Sequence, residues 1–507
     1  MATLSKVFRN TYRDSFLLMK MATTLRKMPG VSNAEVMQAT GPNKGLLSRG
    51  GLLTDDIRAA TPNDLFVCVV AEDGEKAGQA LRHAEGMLEK GLAVQEKTQT
   101  SSSLRGALPL LPGANLALIS IPGPYVKKEA LKALGKGLNL FIFSNNVDVG
   151  DEIEIKKEAA RRDLLVMGPD CGTAIIRGVP LGFANRVRRG KAGLVGASGT
   201  GLQEVAALLH QLGFGVSHAI GTGSNDVSEA VGGVTMIQGI RLLEADDATE
   251  IIVVVSKPPA KRAKDMILEE LHRCSKPVVA NFLGENRVSF QDKNILFTVT
   301  LEETAFKVAE KIQGAPLSQT AETGPSEAKG NFNAGQKYIR GLFTGGTLAT
   351  EAAVILRPTL PSLSGNISLS GLRKTAGAEK SAGHAIIDLG AEEFTLGKPH
   401  PMLEPEMRRD RLLAEAKDPE VKVLLMDFVL GYGVHPDPVG ATLPMLREAR
   451  DIASKEGRNL VFLASICGTD EDPQNKPEQA RLLREAGILL CRSNAQAAIA
   501  AARIIGP

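Results

Sequence analysis

One stretch constrains the fold more than any other. Residues 190–226 read GKAGLVGASGTGLQEVAALLHQLGFGVSHAIGTGSND. Residues 192–195 are an apolar run of strand length, followed by a small-residue turn made of Gly196, Ser198, Gly199, Thr200 and Gly201. Leu202, Val205, Leu208, Leu209 and Leu212 then recur at helical spacing until Gly213 or Gly215 stops the helix. Residues 216–220 form a second short strand. It ends in Gly221-Thr222-Gly223-Ser224-Asn225-Asp226. This order calls for parallel strands joined by a helix. Both turns then lie at carboxyl strand ends, where open α/β sheets bind ligands. The first turn opens a helix whose free N–H groups and dipole favour an anion, most often phosphate. Glycines also make tight turns in any strand–helix unit. The same small, polar pattern one helix later tips the reading toward an anion.

The rest of the chain fits that unit. At 507 residues it exceeds one domain, and roughly three or four are expected. The 52 glycines, few Tyr and no Trp suit an α/β protein with many tight turns. They argue against single-strand nucleic-acid binding, which uses aromatic stacking platforms. A net charge of +3 gives no strong pull toward nucleic acid or anionic membrane. No apolar run is long enough to span a bilayer, and the start, MATLSKVFRNTYRD, lacks the apolar region of a secretion signal. Cys68, Cys171, Cys274, Cys467 and Cys491 are scattered, with no CxxC pair. They read as free thiols in a reducing cytoplasm.

Taken in order, residues 1–105 read as a small α+β domain of ferredoxin-like type, with docking as its default role. His83 reads as a helix-surface residue, Arg49-Gly50-Gly51 as a turn and residues 98–103 as a polar loop. Residues 106–190 alternate strands and helices as a Rossmann-like parallel sheet. It includes the turns 122–125, 144–146 and Gly168-Pro169-Asp170-Cys171-Gly172-Thr173. Residues 191–313 form a flavodoxin-like unit with a continuous apolar strand at 251–255. Residues 314–336 lack periodicity and read as a linker, with ends about 25–30 Å apart as a flexible coil. Residues 337–507 form another flavodoxin-like parallel sheet. Its turns include Thr344-Gly345-Gly346-Thr347, which opens a helix, and Cys467-Gly468-Thr469. The runs LLVMGPDCGT and VFLASICGT both pass from an apolar strand into Cys-Gly-Thr, which fits two related units facing one ligand.

The motifs MGPDCGTAI, KAGLVGASGTGLQEVAALL and GFGVSHAIGTGSND resemble, in order and spacing, the α subunit of succinyl-CoA synthetase over roughly residues 106–313. With the small N-terminal domain and the segments DLGAEEFTLGKPHPM and FVLGYGVHPDP, the whole chain is similar to the FdrA family of that superfamily. The resemblance places a phosphoryl-holding Ser-Gly-Thr turn on Ser198-Gly199-Thr200. It places a glutamate that positions a phosphohistidine on Glu204, and a ligand-side loop on Gly168-Pro169-Asp170-Cys171, with Asp in place of Asn. It adds CoA as a candidate cofactor, where the residues alone require none. It further implies partner subunits or a homo-oligomer, and a role in allantoin breakdown as part of an oxamate carbamoyltransferase.

One departure stands out. The family's phosphohistidine loop falls on GENRVSFQDKNILF, which has no histidine. Gly383-His384-Ala385, in the other domain, is the one Gly-His-Ala sequence, and His384 is therefore weighed as a donor across an interface. His400 and His435 each precede proline in a loop and are weighed as a general acid or oxyanion donor. Lys398 and Arg287 are weighed as anion partners. His210, His218 and His272 read as structural, and no residue cluster has metal-ligand spacing. The candidate site is thus Glu204, His400 and His384 for catalysis. For phosphate or substrate it is Ser198, Gly199, Thr200, Gly168, Pro169, Asp170, Cys171, Gly221, Gly223, Ser224, Asn225, Gly345, Gly346, Thr347, Gly468 and Thr469. Three functions remain open: carbamoyl or acyl transfer to or from phosphate, acid–CoA ligation with a phosphohistidine from elsewhere, and a non-catalytic scaffold.

Overall fold

The computed structural model describes residues 2–506 other than 12, 14, 27, 50–51, 91–100, 102, 286–293, 318–331, 361, 376–380 and 396–398. Gly50, Gly51, Arg287, Lys398 and most of the polar loop and of the linker expected from the sequence lie outside the described residues. The chain divides into two compact units, residues 1–113 with 396–399 and residues 114–395 with 400–507.

The first unit contains β1 (Ala2–Phe8), α1 (Ser15–Arg26), β2 (Val31–Gln38), α2 (Gly41–Arg49), α3 (Asp55–Ala59), β3 (Leu65–Ala71), α4 (Gly74–Lys90) and α5 (Leu104–Ala107). Its sheet has the order β1-β3-β2, all antiparallel. The central strand β3, LFVCVVA, is buried on both faces. That accounts for its lack of polar alternation.

The second unit is built mainly from parallel strands and holds three sheets. The first comprises β4 (Leu116–Ile119), α6 (Gly123–Leu134), β5 (Asn139–Ile142), α7 (Val149–Arg161) and β6 (Val166–Met167). Its strands lie in sequence order, β4-β5-β6.

The second sheet takes in β7 (Thr173–Ile176), β8 (Val179–Gly182), β9 (Arg189–Gly196), α8 (Gly199–Gln211), β10 (Val216–Gly221), α9 (Val234–Ala245), β11 (Ile251–Ser256), α10 (Lys261–His272), β12 (Val278–Phe282), β13 (Ile295–Phe297) and α11 (Leu301–Gln313). Its order is β13-β12-β11-β9-β10-β7-β8. Strands β9 to β13 are parallel and β7 is antiparallel to both its neighbours. The hairpin β7–β8 and helix α9 are elements the sequence pattern leaves unread. Strand β11, apolar up to its final Ser256 and with parallel neighbours on both sides, is buried along its whole length, as such strands are.

The third sheet takes in β14 (Tyr338–Phe343), α12 (Gly346–Leu356), β15 (Ser364–Gly365), β16 (Arg373–Lys374), β17 (Ala385–Asp388), α13 (Glu392–Thr395), α14 (Arg409–Ala416), β18 (Val421–Val429), α15 (Pro438–Lys455), β19 (Val461–Cys467), α16 (Lys476–Glu485), β20 (Leu489–Cys491) and α17 (Asn494–Ile505). It is wholly parallel, in the order β16-β15-β17-β14-β18-β19-β20. No helix among the described residues is long and apolar enough to cross a membrane.

Helix α8 joins the second and third sheets. Every residue from Gly201 to His210 is buried, which matches a helix apolar on nearly all sides. Leu202, Val205, Leu208 and Leu209 share one core with Leu348 and Ala352 of α12 and with Val429 and Cys467 at strand ends. The helix lies across the carboxyl edge of the third sheet. Ser198 meets Thr347 after β14, and Gln203 donates to the Leu430 carbonyl after β18. Gln211 donates to the Gly468 carbonyl after β19 at 2.9 Å.

Candidate functional site

Two strand orders reverse, and each reversal falls beside a glycine turn. In the second sheet β9 is flanked by β10 and β11, and in the third β14 is flanked by β17 and β18. These are topological switch points, where adjacent crossovers leave to opposite faces and a crevice opens. Ser198-Gly199-Thr200 follows β9, and Thr344-Gly345-Gly346-Thr347 follows β14.

The two turns meet. Ser198 Oγ lies 2.8 Å from Thr347 Oγ1, and a Cβ added to Gly345 would stand 3.0 Å from Thr200 Cγ2. A Cβ on Gly201 would stand 3.1 Å from Thr347 Cγ2. Small residues are therefore what lets the starts of α8 and α12 approach. Neither helix has a side-chain N-cap: Ser198 and Gly345 occupy the cap positions without making the cap hydrogen bond. Each helix leaves its first amides without an intrahelical acceptor. The two dipoles and two sets of N–H groups converge on one place, a physical recipe for holding an anion.

Buried charges fix the second turn. Asp427, at 0% exposure, accepts from the Thr344 amide and the Gly345 amide, both at 2.8 Å. Arg408 Nη2 donates to Asp427 Oδ1 at 2.9 Å and to Thr344 Oγ1 at 3.0 Å. Asp388, at the carboxyl end of β17, accepts from the Gly390 amide at 2.9 Å. Burial, then the Asp427 and Glu393 charges, push its carboxyl up to about 7 against the pull of the Gly390 and Ala391 amides. His400 packs on the same turn. Its Nδ1 accepts from the Met402 amide at 3.2 Å, its ring lies 6.0 Å from that of Phe183, and its Nε2 adjoins Gly390. Burial and the Arg408 charge push it down to about 4, so near neutral pH it is uncharged, with its proton on Nε2.

The other sequence candidates lie elsewhere or do other work. His384 stands just before β17, at the amino edge of the sheet, where its Nδ1 accepts from the Ile339 amide at 3.2 Å. The switch-point turn is at the opposite, carboxyl edge. Glu204 is 2% exposed. It accepts from the Asn494 amide at 3.2 Å and faces Cys467 and Lys476, and burial raises its carboxyl. Beside it, Glu351 of α12 accepts from Asn494 Nδ2 at 2.7 Å and is pushed up to about 8 by burial. Gly468 and Thr469 sit at the far end of α8. The Thr469 hydroxyl donates to the Arg186 carbonyl at 2.7 Å, and His210 Nε2 lies 2.7 Å from Asp470 Oδ1. The other Cys-Gly-Thr run is at the near end, since a Cβ on Gly199 would stand 3.2 Å from Thr173 Oγ1. About 18 Å of helix separates the two ends.

The loop after β10 is a packing device. A Cβ on Gly221 would stand 2.2 Å from the Thr173 carbonyl oxygen and 2.6 Å from Cys171 Sγ. One on Gly223, at φ +87, would stand 2.1 Å from the Pro169 carbonyl oxygen. Beneath it Lys156 is buried between Asp226 at 2.7 Å and Glu152 at 2.8 Å, and Asn225 turns its carbonyl to the Ser228 amide. Cys171 is buried and its thiol is pushed up to about 12 by desolvation, which removes it as a nucleophile. Asp170 follows the cis Gly168–Pro169 bond at φ 56. Asp and Asn tolerate this left-handed region, which explains how Asp stands where the resembled family has Asn. Its carboxylate accepts from Ser224 Oγ and faces Lys257 and Glu392.

Sequence reasoning missed Asp388, Asp427, Arg408 and Asn494. Asp427 carried a signal, as a lone acid inside the apolar strand VKVLLMDFV. The others act through contacts distant in sequence.

Known proteins now enter. Residues 342–504 match a family model described as CoA-ligase, residues 187–284 one described as CoA binding domain, and residues 1–104 one described as AllF, heavy metal-associated domain. The chain is 40% identical over 500 residues to the uncharacterized protein YahF of Escherichia coli (strain K12), covering 98% of this chain and 97% of that one. It belongs to the YahF family, an FdrA-like branch of the acyl-CoA synthetase superfamily. It is 27% identical over 175 residues to the succinate–CoA ligase [ADP-forming] subunit alpha 2 of Archaeoglobus fulgidus, covering 34% of this chain and 59% of that subunit. A solved acetyl-coenzyme A synthetase 1 of Ca. Korarchaeum cryptofilum, in complex with phosphate and ADP, is 15% identical. The alignment covers 77% of this chain and 82% of that one, with a TM-score of 0.29.

Two groups that these descriptions bring up can be tested against the residues present. Apart from methionines such as Met21 and Met87, which are buried in the core, a heavy-metal site in residues 1–104 would draw on one cysteine and one histidine. Cys68 is buried, with its thiol pushed up to about 11 by desolvation, and His83 is exposed on α4. That donor set does not fit a soft metal. For CoA, the matched residues 187–284 take in β9 to β12 of the second sheet. That sheet reverses at β9, the switch point described above, where such sheets take nucleotides.

Proposed function

We propose that this chain is a subunit of a phosphate-dependent carbamoyl-transferring enzyme, with oxalurate and phosphate as one pair of reactants and oxamate and carbamoyl phosphate as the other. The observation that carries this reading is the meeting of two uncapped helix starts at Ser198 and Thr347. Phosphate would accept N–H groups from both helices. The planar carbamoyl carbon would be attacked by a phosphate oxygen, and the resulting oxyanion stabilised by the same donors. The Ser198, Thr200 and Thr347 hydroxyls line this place, and neutral His400 offers an Nε2–H donor beside it. The absence of histidine from residues 283–295 fits a reaction that needs a phosphate cradle and no phosphoenzyme. The match of residues 1–104 to an AllF domain is consistent with the allantoin link that the FdrA resemblance implies.

The test is a product assay on the full chain with its co-purifying partners, supplied with oxalurate and isotopically labelled phosphate. Labelled carbamoyl phosphate together with oxamate is the expected outcome. Its absence, with partners present, overturns the reading. A second reading, ADP-forming or ATP-dependent acid–CoA ligation, draws on the CoA-ligase match over residues 342–504. It predicts acid-labile phosphate on the protein after ATP treatment and binding of CoA by calorimetry. The first reading predicts neither.

A further inference from the structure

The proposed reaction moves one proton. Hydrogen phosphate attacks the carbamoyl carbon of oxalurate, a C–O bond forms, and the C–N bond to the oxalyl-bearing nitrogen breaks. The phosphate hydroxyl must lose its proton and the departing nitrogen must gain one, or it leaves as a poor amide anion. A single group that takes the first proton and delivers the second balances the step, with no other co-reactant.

We propose that Asp388 is that group, the general base and then the general acid at the convergent helix starts. The proposal rests on the carbamoyl-transfer reading above. Its geometry comes from β17, whose carboxyl end lies beside the switch-point turn of β14, with Phe343 opposite Asp388 in the parallel register. A Cβ on Gly346, the first residue of α12, would stand 2.7 Å from Asp388 Oδ2. The carboxylate thus lies against the first residue of α12. The Gly390 amide anchors Oδ1 at 2.9 Å, and the Asn366 side chain accepts from the Asp388 amide at 2.8 Å. Both hold the backbone and one oxygen while the residue stays partly exposed. Glycine at 346 is what lets the carboxylate approach the helix start so closely.

The charged groups around Asp388 suit the task. Asp427 faces it from β18 and Glu393 from α13. Arg408 pairs with Asp427 behind the turn, and His400, adjoining Gly390, is uncharged near neutral pH. Two nearby acids and burial hold the carboxyl near 7, where it can both accept and donate a proton. Neither Glu204 nor His384 shares this position.

The experiment compares wild type, D388N and D388E as full-length protein with co-purifying partners, assayed for carbamoyl phosphate from pH 5 to 9. D388N should lower turnover by about 100-fold or more while phosphate affinity, read by calorimetry, holds or tightens as a negative charge leaves the site. D388E should recover part of the loss. The wild-type rate should inflect near 7, with the inflection missing from the residual D388N rate. A D388N enzyme within a few-fold of wild type, with the same pH profile, overturns the assignment and leaves the carbamoyl-transfer reading standing. If wild type itself makes no carbamoyl phosphate at any pH, the reading fails and the assignment with it. Should D388N not fold, the wild-type profile decides, and a rate without an inflection near 7 overturns Asp388.

Discussion

The turns after β9 and β10 are neighbours at the same sheet edge, both made of Gly, Ser and Thr, yet they do different things. After β9 and its counterpart after β14, glycine lets two helix starts approach each other through side-chain contacts. After β10, Gly221 and Gly223 let one loop lie backbone-on-backbone against 168–173. Composition does not separate the two cases. What separates them is what a Cβ would meet: side-chain atoms at Gly199, Gly201, Gly345 and Gly346, a backbone carbonyl oxygen near 2 Å at Gly221 and Gly223.

The largest effect that tests this contrast is on stability. Gly223→Ala places a Cβ 2.1 Å from a carbonyl oxygen at φ +87, and should cost about 3 kcal/mol or more. Urea unfolding measures it, and a variant as stable as wild type erases the distinction. Next is an effect on rate alone. Ser198→Ala combined with Thr347→Val removes the paired hydroxyls and should slow carbamoyl phosphate formation by about 100-fold. The unfolding midpoint should stay within about 1 kcal/mol of wild type; a large loss of stability would make this turn a packing device as well.

A smaller effect concerns pH. His400 has its folded pKa depressed from 6.5 to about 4, so the unfolded chain binds more protons between those values. Its contribution is complete above about 6.5 and is lost as pH falls toward 4, up to about 2–3 kcal/mol. His400→Gln should flatten thermal stability between pH 7 and 4.5, and an unchanged slope would remove His400 from the buried wall of the site. Smallest is a matter of reactivity. Cys171, beneath Gly221 with its thiol near 12, should resist alkylation at pH 8 until the chain unfolds. Rapid labelling of the native protein would mean that the packed loop opens.

Much of this architecture is written in local pattern. The apolar run 251–255 reads as a strand, and the 3.6-residue spacing from Leu202 to Leu212 reads as the helix α8. The Gly345-Gly346-Thr347 turn was legible for the same reason, as small residues between a strand and a helix. The hairpin β7–β8 was not, because TAIIRGVPLGF carries no clean alternation. Nor could sequence tell that Ser198 and Thr347, 149 positions apart, touch, or that Gly468 lies one helix length from Ser198. Those facts come from the way α8 crosses the third sheet. Asp388 looked like the end of an apolar strand, and its position over Gly346 depends on β17 pairing with β14.

That crossing has a consequence for how the site assembles. Both helix starts belong to one polypeptide, so bringing them together is an intramolecular event with an effective concentration set by the fold. The cradle therefore forms as each molecule folds, at the same occupancy in a dilute or a crowded solution. A partner chain, if one completes the reaction, meets a cradle that is already built.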